Sequence, residues 1–423
     1  MLAAWEGGGN VPPFVGAVRQ LRARGHRVRV LGDDTMREEM EAAGALFRPW
    51  RTAGNRTDRR PESDLLRDWE PKEPGGGLLR LLDRITIGPA HAYAADTLAE
   101  LRSEPADALV SSDLLFGPMV AAEATGTPLA LLARNISVFP IAGMPPIGPG
   151  LAPPGSAAER AMAGQAAAWF AAALAERLPV LNAARAAVGL PPLADALDQP
   201  RAAALTLQAT SRAFDFPVAA LPPGMRYVGP LLDPPGWAQG WISPWPAGDP
   251  RPLILVAMSS TFQDHAAVIQ TVLNAAAALP VRAVATLGPA LAGTALDVPA
   301  NAVVIDGAAH DPLMREAALV VTHCGHGTVM RALSHHRPML CLPMGRDQND
   351  NAARIVARGA GLRLPADADA DQLRAAVAML LDDRGFARAA AVLGQAIVAS
   401  EIPDALTDAL EELTARELCR AAA

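Results

Sequence analysis

The sequence predicts an α/β protein built from two parallel-sheet domains that face each other across a cleft. Three observations point there. Successions of strand, loop, helix and strand occur in both halves, a segment crowded with proline and glycine separates them, and 423 residues give each half enough chain for its own core.

Met1–Trp5 reads as the end of a buried strand, Gly7-Gly8-Gly9 as a tight loop, and Pro12-Pro13 as the start of a helix. Val15, Val18 and Leu21 recur at helical spacing as far as Gly25, and Arg27–Leu31 then reads as a second strand. So little chain precedes the loop that a natural start farther upstream is expected. Asp107–Ser111 is strand-like and leads to Asp113, Phe116–Thr125 is helical, and Pro128–Leu132 is the next strand. Phe139–Pro154, with Pro145, Pro146, Gly148, Pro149 and Gly150, cannot be a helix interior and is expected to be a long loop. Ala157–Val188 is helical, and its alanines suggest close helix packing. Gly229–Pro252, which includes Pro230, Pro234, Pro235, Pro244, Pro246 and Pro250, is a linker. The division is therefore residues 1–228, a linker 229–252, and residues 253–423, with a last helix that can pack back on the first domain. The second half restarts with the apolar strand Leu253–Met258 and continues through Ala302–Ile305 and Ala318–Val321. Ligands of such sheets bind at the carboxyl ends of the strands.

Composition narrows the function classes. Apolar residues make up 51% and charged residues 19%, without an uninterrupted apolar stretch of about 18 residues, so a membrane span is not expected. No basic segment followed by an apolar run marks a secretory signal. Cys324, Cys341 and Cys419 lack paired metal spacing and fit a reducing cytoplasm. The net charge of -7, with basic residues scattered, argues against nucleic acid as a partner. Lysine occurs only at Lys72, which reflects codon bias rather than chemistry.

The segment Val320–Met330 is a strand that ends in the loop Thr322–Thr328 and opens a helix. Backbone amides at a helix start, backed by its dipole, suit an anion such as a diphosphate. The same glycines also suit an ordinary strand-to-helix turn.

Thr322-His323-Cys324-Gly325 through Thr328, then Pro338, Leu342-Pro343 and Asp347-Gln348, resemble the donor-binding signature of nucleotide-sugar glycosyltransferases, a family with plant natural-product and bacterial macrolide and enediyne members. The likeness extends to Arg346–Ala352, Val256–Gln263 and Gly8–Pro12, and so spans nearly the whole chain. It implies the GT-B fold, two Rossmann-like domains facing across a cleft, with an N-terminal acceptor domain and a C-terminal donor domain. It further implies that His323, Gly325, Gly327 and Thr328 hold the diphosphate, with Ser259 and Thr261 on the phosphate side. Asp347 and Gln348 would bind sugar hydroxyls, and the segment ending at His310 the base. An imidazole can donate to a phosphate oxygen, and a carboxylate with a carboxamide suits a polyol. Asp347 could instead be a helix N-cap.

Two positions depart from the family. Asn10 stands where relatives place a histidine base, and an amide cannot take that proton. Asp113, where the family's orienting aspartate stands, is the expected base, with Asn10 positioning the acceptor; alternatively the acceptor is acidic enough to need little help, or Asp113 caps the helix near Phe116. Arg331 stands where many relatives carry a ribose-binding glutamate, which is compatible with dTDP and equally with an arginine that contacts a phosphate.

Asp367-Ala368-Asp369 reads as a helix cap, and the adjacent His335-His336 do not share a helix face. No metal and no cofactor beyond the sugar nucleotide are expected. The expected reaction is an inverting transfer from a dTDP- or UDP-sugar to a hydrophobic small molecule, an aromatic or macrolide natural product entering by Asn10, Asn55–Asp68 and Arg134–Pro149. One alternative is a relative that binds a nucleotide sugar, or assists a partner enzyme, without transfer; another is a nucleotide-sugar epimerase on the same architecture, which the acceptor-like proline loop disfavours. A homodimer is compatible with the sequence.

Overall fold

The structure is a computed structural model describing residues 1–234, 236, 238 and 240–421; Pro235, Trp237 and Gln239 of the expected linker lie outside the described residues. The first sheet has strands β1 (Leu2–Ala3), β2 (Arg29–Gly32), β3 (Leu46–Pro49), β4 (Leu109–Ser112), β5 (Leu129–Ala133), β6 (Leu205–Gln208) and β7 (Met225–Tyr227), in the order β3-β2-β1-β4-β5-β6-β7. The second has β8 (Leu253–Ala257), β9 (Arg282–Thr286), β10 (Ala302–Ile305), β11 (Leu319–Thr322), β12 (Met339–Cys341) and β13 (Gly361–Arg363), in the order β10-β9-β8-β11-β12-β13. All strand pairings are parallel, with Ala3 opposite Ser111 in the first sheet and Thr322 opposite Ala257 in the second.

Helices cover both faces of each sheet, so the central strands read as unbroken apolar runs rather than alternating ones. Every residue of Leu253–Ala257 is buried: Leu253, Leu255 and Ala257 face one core layer, while Ile254 and Val256 face the other. The helix Val11–Ala23 has proline in its first turn, where a missing amide costs nothing, and the chain leaves it through Gly25 at φ +87°.

The helix Ala157–Ala186 begins at a capping box of Ser156 and Glu159. Its alanines do not mark close packing. One narrow stripe, including Phe170, Leu174 and Leu181, is buried, while Met162, Trp169 and Val180 are exposed. Alanine is abundant there because it favours helix anywhere, packed or not.

The final helix, Ala405–Ala421, lies on the first domain. Leu406, Ala409, Leu410 and Leu413 complete the core around Phe14 and Val18, and Arg24 donates to Asp408 at 3.0 Å. The expected loop 139–154 is without helix or strand and crosses to the second domain, where Asp350 accepts from the amides of Gly148 (2.8 Å) and Gly150 (3.0 Å).

Candidate active site

A cavity of about 900 Å³ lies between the two sheets, at the carboxyl ends of β1, β4 and β5 on one side and β8, β11 and β12 on the other. The first sheet reverses its strand order between β1 and β4, the second between β8 and β11. These reversals are where a parallel sheet opens a crevice for a ligand.

On the second domain, β11 ends at Thr322, whose hydroxyl accepts from the amide of Cys324 at 3.1 Å, and Cys324 turns the chain with φ +69°. The helix His326–Ser334 starts at Gly325 without a side-chain cap, leaving its first-turn amides open to the cavity. A Cβ on Gly325 would stand 2.6 Å from His323 Nε2, so a side chain there would displace the imidazole. A Cβ on Gly327 would meet nothing within 4 Å, so this glycine leaves the space over the amides clear. His323 lines the cavity, and its Nδ1 is buried without a partner, a cost that a ligand oxygen or water can relieve. Burial, helped by His265 and Arg346, pushes its imidazole down to about 3. Burial also holds His310 and His326 at about 4, with His310 on the hydroxyl of Thr286 (3.2 Å) and His326 on that of Thr210 (2.7 Å). Near neutral pH these imidazoles are uncharged hydrogen-bonding groups.

Ser259 and Thr261 follow β8 with their hydroxyls 3.1 Å apart, and both line the cavity beside Thr328. Asp347 stands at the N-cap position of the helix Gln348–Ala357 but makes no capping bond. Its Oδ2 accepts from Asn351 at 2.8 Å. Gln348 is committed inward, its Oε1 accepting from the amide of Met344 (2.7 Å) and its Nε2 donating to Gln263 (2.9 Å). It braces the loop before Asp347.

On the first domain the structure gives a role of its own to a residue that the sequence marks only as the start of an acceptor segment. Arg134, just past β5, donates through Nε to Asn10 Oδ1 and through Nη1 to Asp113 Oδ1 at 3.0 Å. Asn10 and Arg134 line the cavity, whereas Asp113 is only 1% exposed and lies behind Arg134 rather than at the cleft edge expected from its place after a strand. Burial pushes Asp113 up and Arg134 down, and each opposes the other's shift through its charge. Asp113 is not the cap of the helix Phe116–Thr125 either, whose N-cap position is Leu115. With Oδ1 of Asn10 fixed on Arg134, its Nδ2 is the end left to donate.

Residues 270–413 match the family described as Erythromycin biosynthesis protein CIII-like, C-terminal domain. Across the whole chain, the 4'-demethylrebeccamycin synthase of Lentzea aerocolonigenes is 30% identical over 427 residues, 97% of each chain. The chain is a GT-B glycosyltransferase of natural-product biosynthesis. The glycotransferase of kitacinnamycin superposes with a TM-score of 0.76 at 22% identity, covering 97% of this chain and 98% of its own. The spinosyn rhamnosyltransferase SpnG, solved in complex with thymidine diphosphate, superposes at 0.65 with 21% identity, over 97% of this chain and 99% of its own.

In this glycosyltransferase the cavity's first-domain half has an apolar stretch of wall that includes Trp5, Leu78, Phe116, Phe139 and Phe170. Of the expected acceptor segments, Leu66, Asp68, Arg134 and Ile147 reach the cavity, while Asn55 is spent on the amide of Asp34 at 2.8 Å. Arg331 also lines it, tied to Asp311 and to the carbonyl of Leu232 (2.6 Å). Asp369 caps the helix Ala370–Asp382 through a capping box with Gln372, and His335 pairs with Asp311 at 2.9 Å.

Proposed function

We propose that the enzyme transfers a sugar from a dTDP- or UDP-linked donor to a hydrophobic small-molecule acceptor, with inversion at the anomeric carbon. The observation that carries this reading is one continuous cavity with an anion-type helix start on the second domain and an aromatic wall on the first. The diphosphate lies over the open amides of Gly325–Thr328, within reach of His323, Ser259 and Thr261. There the charge that grows on the leaving group meets fixed donors. Asp347 receives sugar hydroxyls, and the segment ending at His310 faces the base. The thymidine diphosphate complex of the spinosyn enzyme supports dTDP as donor, and Arg331, held by Asp311, is compatible with a deoxyribose. Asn10 donates through Nδ2 to the acceptor, while Asp113 acts through Arg134 to hold that amide in place.

Incubation with dTDP- and UDP-sugars and a panel of aromatic and macrolide acceptors, followed by mass, tests the proposal. Products heavier than an acceptor by one sugar are expected. Thermal stabilisation by donor without product from any acceptor would point to a binding role instead.

A further inference from the structure

Four Lys or Arg side chains line the cavity among the described residues: Lys72, Arg134, Arg331 and Arg346. Arg134 is held by Asn10 and Asp113, Arg331 by Asp311 and Leu232, and Lys72 is exposed and bonded to the carbonyl of Trp69 at 3.1 Å. Arg346 differs because its partners stand on opposite sides of the cleft. Its Nε and Nη2 donate to both oxygens of Asp68 on the first domain, at 2.6 and 2.9 Å. Its Nη1 donates to Thr261 Oγ1 at 3.0 Å, and that hydroxyl is 3.1 Å from Ser259 Oγ on the phosphate side. Arg346 also has φ +54°, a conformation that costs a side-chain-bearing residue energy and persists where the surroundings enforce it.

Asp68 is equally distinctive. The carboxylates lining the cavity are Asp68, Glu73, Asp233 and Asp347. Glu73 is exposed, Asp233 pairs with Arg19, and Asp347 belongs to the donor side. Among the described residues, Asp68 alone is a first-domain carboxylate in the wall whose side chain is only 6% exposed, and the neighbouring Trp69 meets Phe262 of the second domain edge-on at 4.9 Å.

We propose that Arg346 and Asp68 form a charge couple that the donor opens: Arg346 turns from Asp68 to a diphosphate oxygen, and the released carboxylate takes the acceptor's proton. The inference rests on the donor reading above. In the transfer, a lone pair of the acceptor atom forms the bond to the anomeric carbon and the bond from that carbon to the diphosphate oxygen breaks. The electron pair leaves on the diphosphate, where Arg346 and the first-turn amides hold it, and the acceptor's proton passes to an Asp68 oxygen. Arg346 exchanges one anion for another of higher charge and is never left unpaired. The other charged or titratable groups whose fields couple to Arg346 are Asp64, Asp347, Arg134, His323 and His265.

Calorimetric titration of UDP, dTDP, uridine and thymidine into wild type and variants separates this couple from a mere domain clamp. Asp68→Asn frees Arg346 in advance, so both diphosphates bind tighter, by about tenfold, while the nucleosides are unchanged. Arg346→Gln weakens the diphosphates about tenfold, again sparing the nucleosides; Arg346→Lys, which keeps the charge, loses less and serves if the glutamine variant does not fold. With acceptors that give product, Asp68→Asn loses about 10²–10⁴-fold in kcat, and the loss shrinks as the acceptor becomes more acidic. Diphosphate binding unchanged or weakened in Asp68→Asn makes the pair a clamp and overturns the proposal, as does wild-type turnover in that variant. If wild type binds neither diphosphate, the donor reading itself fails and this inference falls with it.

Discussion

Replacing Arg134 with methionine leaves the Asp113 carboxylate buried without its cation. An orphaned buried charge costs about 3–5 kcal/mol, whereas removing both charges costs far less. Arg134→Met is therefore expected to lower unfolding stability by about that amount in urea denaturation, and Arg134→Met with Asp113→Leu to recover most of it. Near-additive losses would mean that the two residues do not form a unit. Gly327 predicts the opposite kind of change. Its Cβ would enter open space inside a helix, so Gly327→Ala is expected to be neutral or stabilising by up to about 1 kcal/mol in thermal unfolding, while raising the donor KM by roughly tenfold because the methyl covers the amides. A donor KM equal to wild type would place the diphosphate elsewhere. The ordered motifs made Asn10 and the loop from His323 to Thr328 legible as cavity residues, whereas Asp113 was expected at the cleft edge and lies behind it. The role of Arg134 was not legible, since one arginine among many shows no spacing signal, and that role exists only once β4 and β5 bring it against Asp113.

At the scale of elements, hydrophobic runs and turn residues located β1, β2, β4, β5, β8, β10 and β11, but not β3, β6, β7, β9, β12 or β13. β10 and the helix Phe116–Thr125 have the bounds the sequence suggests, because unbroken apolar runs and glycine stops are local signals. The loop 139–154 is legible as a loop but not in its docking, which depends on Asp350 from a distant helix. Burial pushes this carboxyl up to about 6, against the Gly148 amide, Arg354 and the Gly150 amide. A folded-state value raised above the unfolded one means that the folded protein holds the extra proton. The contribution is present below about pH 4 and is lost as pH rises through about 6, amounting to at most about 3 kcal/mol. Asp350→Asn removes this dependence: the wild-type melting temperature, relative to the variant's, is expected to fall between pH 4 and pH 7. The carboxamide oxygen can accept from one glycine amide well, while its NH2 opposes the other, so the loop loosens and the acceptor KM rises. Parallel melting curves for the two proteins across that range would show that Asp350 is not the titrating group.

For the whole molecule, the two sheets are coupled by more than the linker. His326 meets Thr210, Arg354 pairs with Asp215 at 2.6 Å, and the helix Ala405–Ala421 leaves the second domain to finish the core of the first. That last arrangement was legible only as an option, because an amphipathic terminal helix does not name the surface that will cover it. Its apolar face is large in energetic terms. Leu406, Leu410 and Leu413 are each at most 5% exposed, and burying a leucine is worth about 1.5–3 kcal/mol, so together they approach the 5–15 kcal/mol by which a domain is stable at all. Cutting the chain after Asp404 uncovers Phe14 and Val18 and strips Arg24 of its partners Asp408 and Glu411. The truncated protein is expected to unfold in its first domain at lower urea, to bind the dye ANS, and to elute as aggregate in size-exclusion chromatography. The donor side, whose loops spring from β8, β9, β10, β11 and β12, keeps its own core. Nucleoside diphosphate binding to whatever monomer remains should therefore persist with kcat lost. Full kcat and a wild-type urea midpoint in the truncated chain would show that the helix is dispensable packing rather than part of the first domain's core.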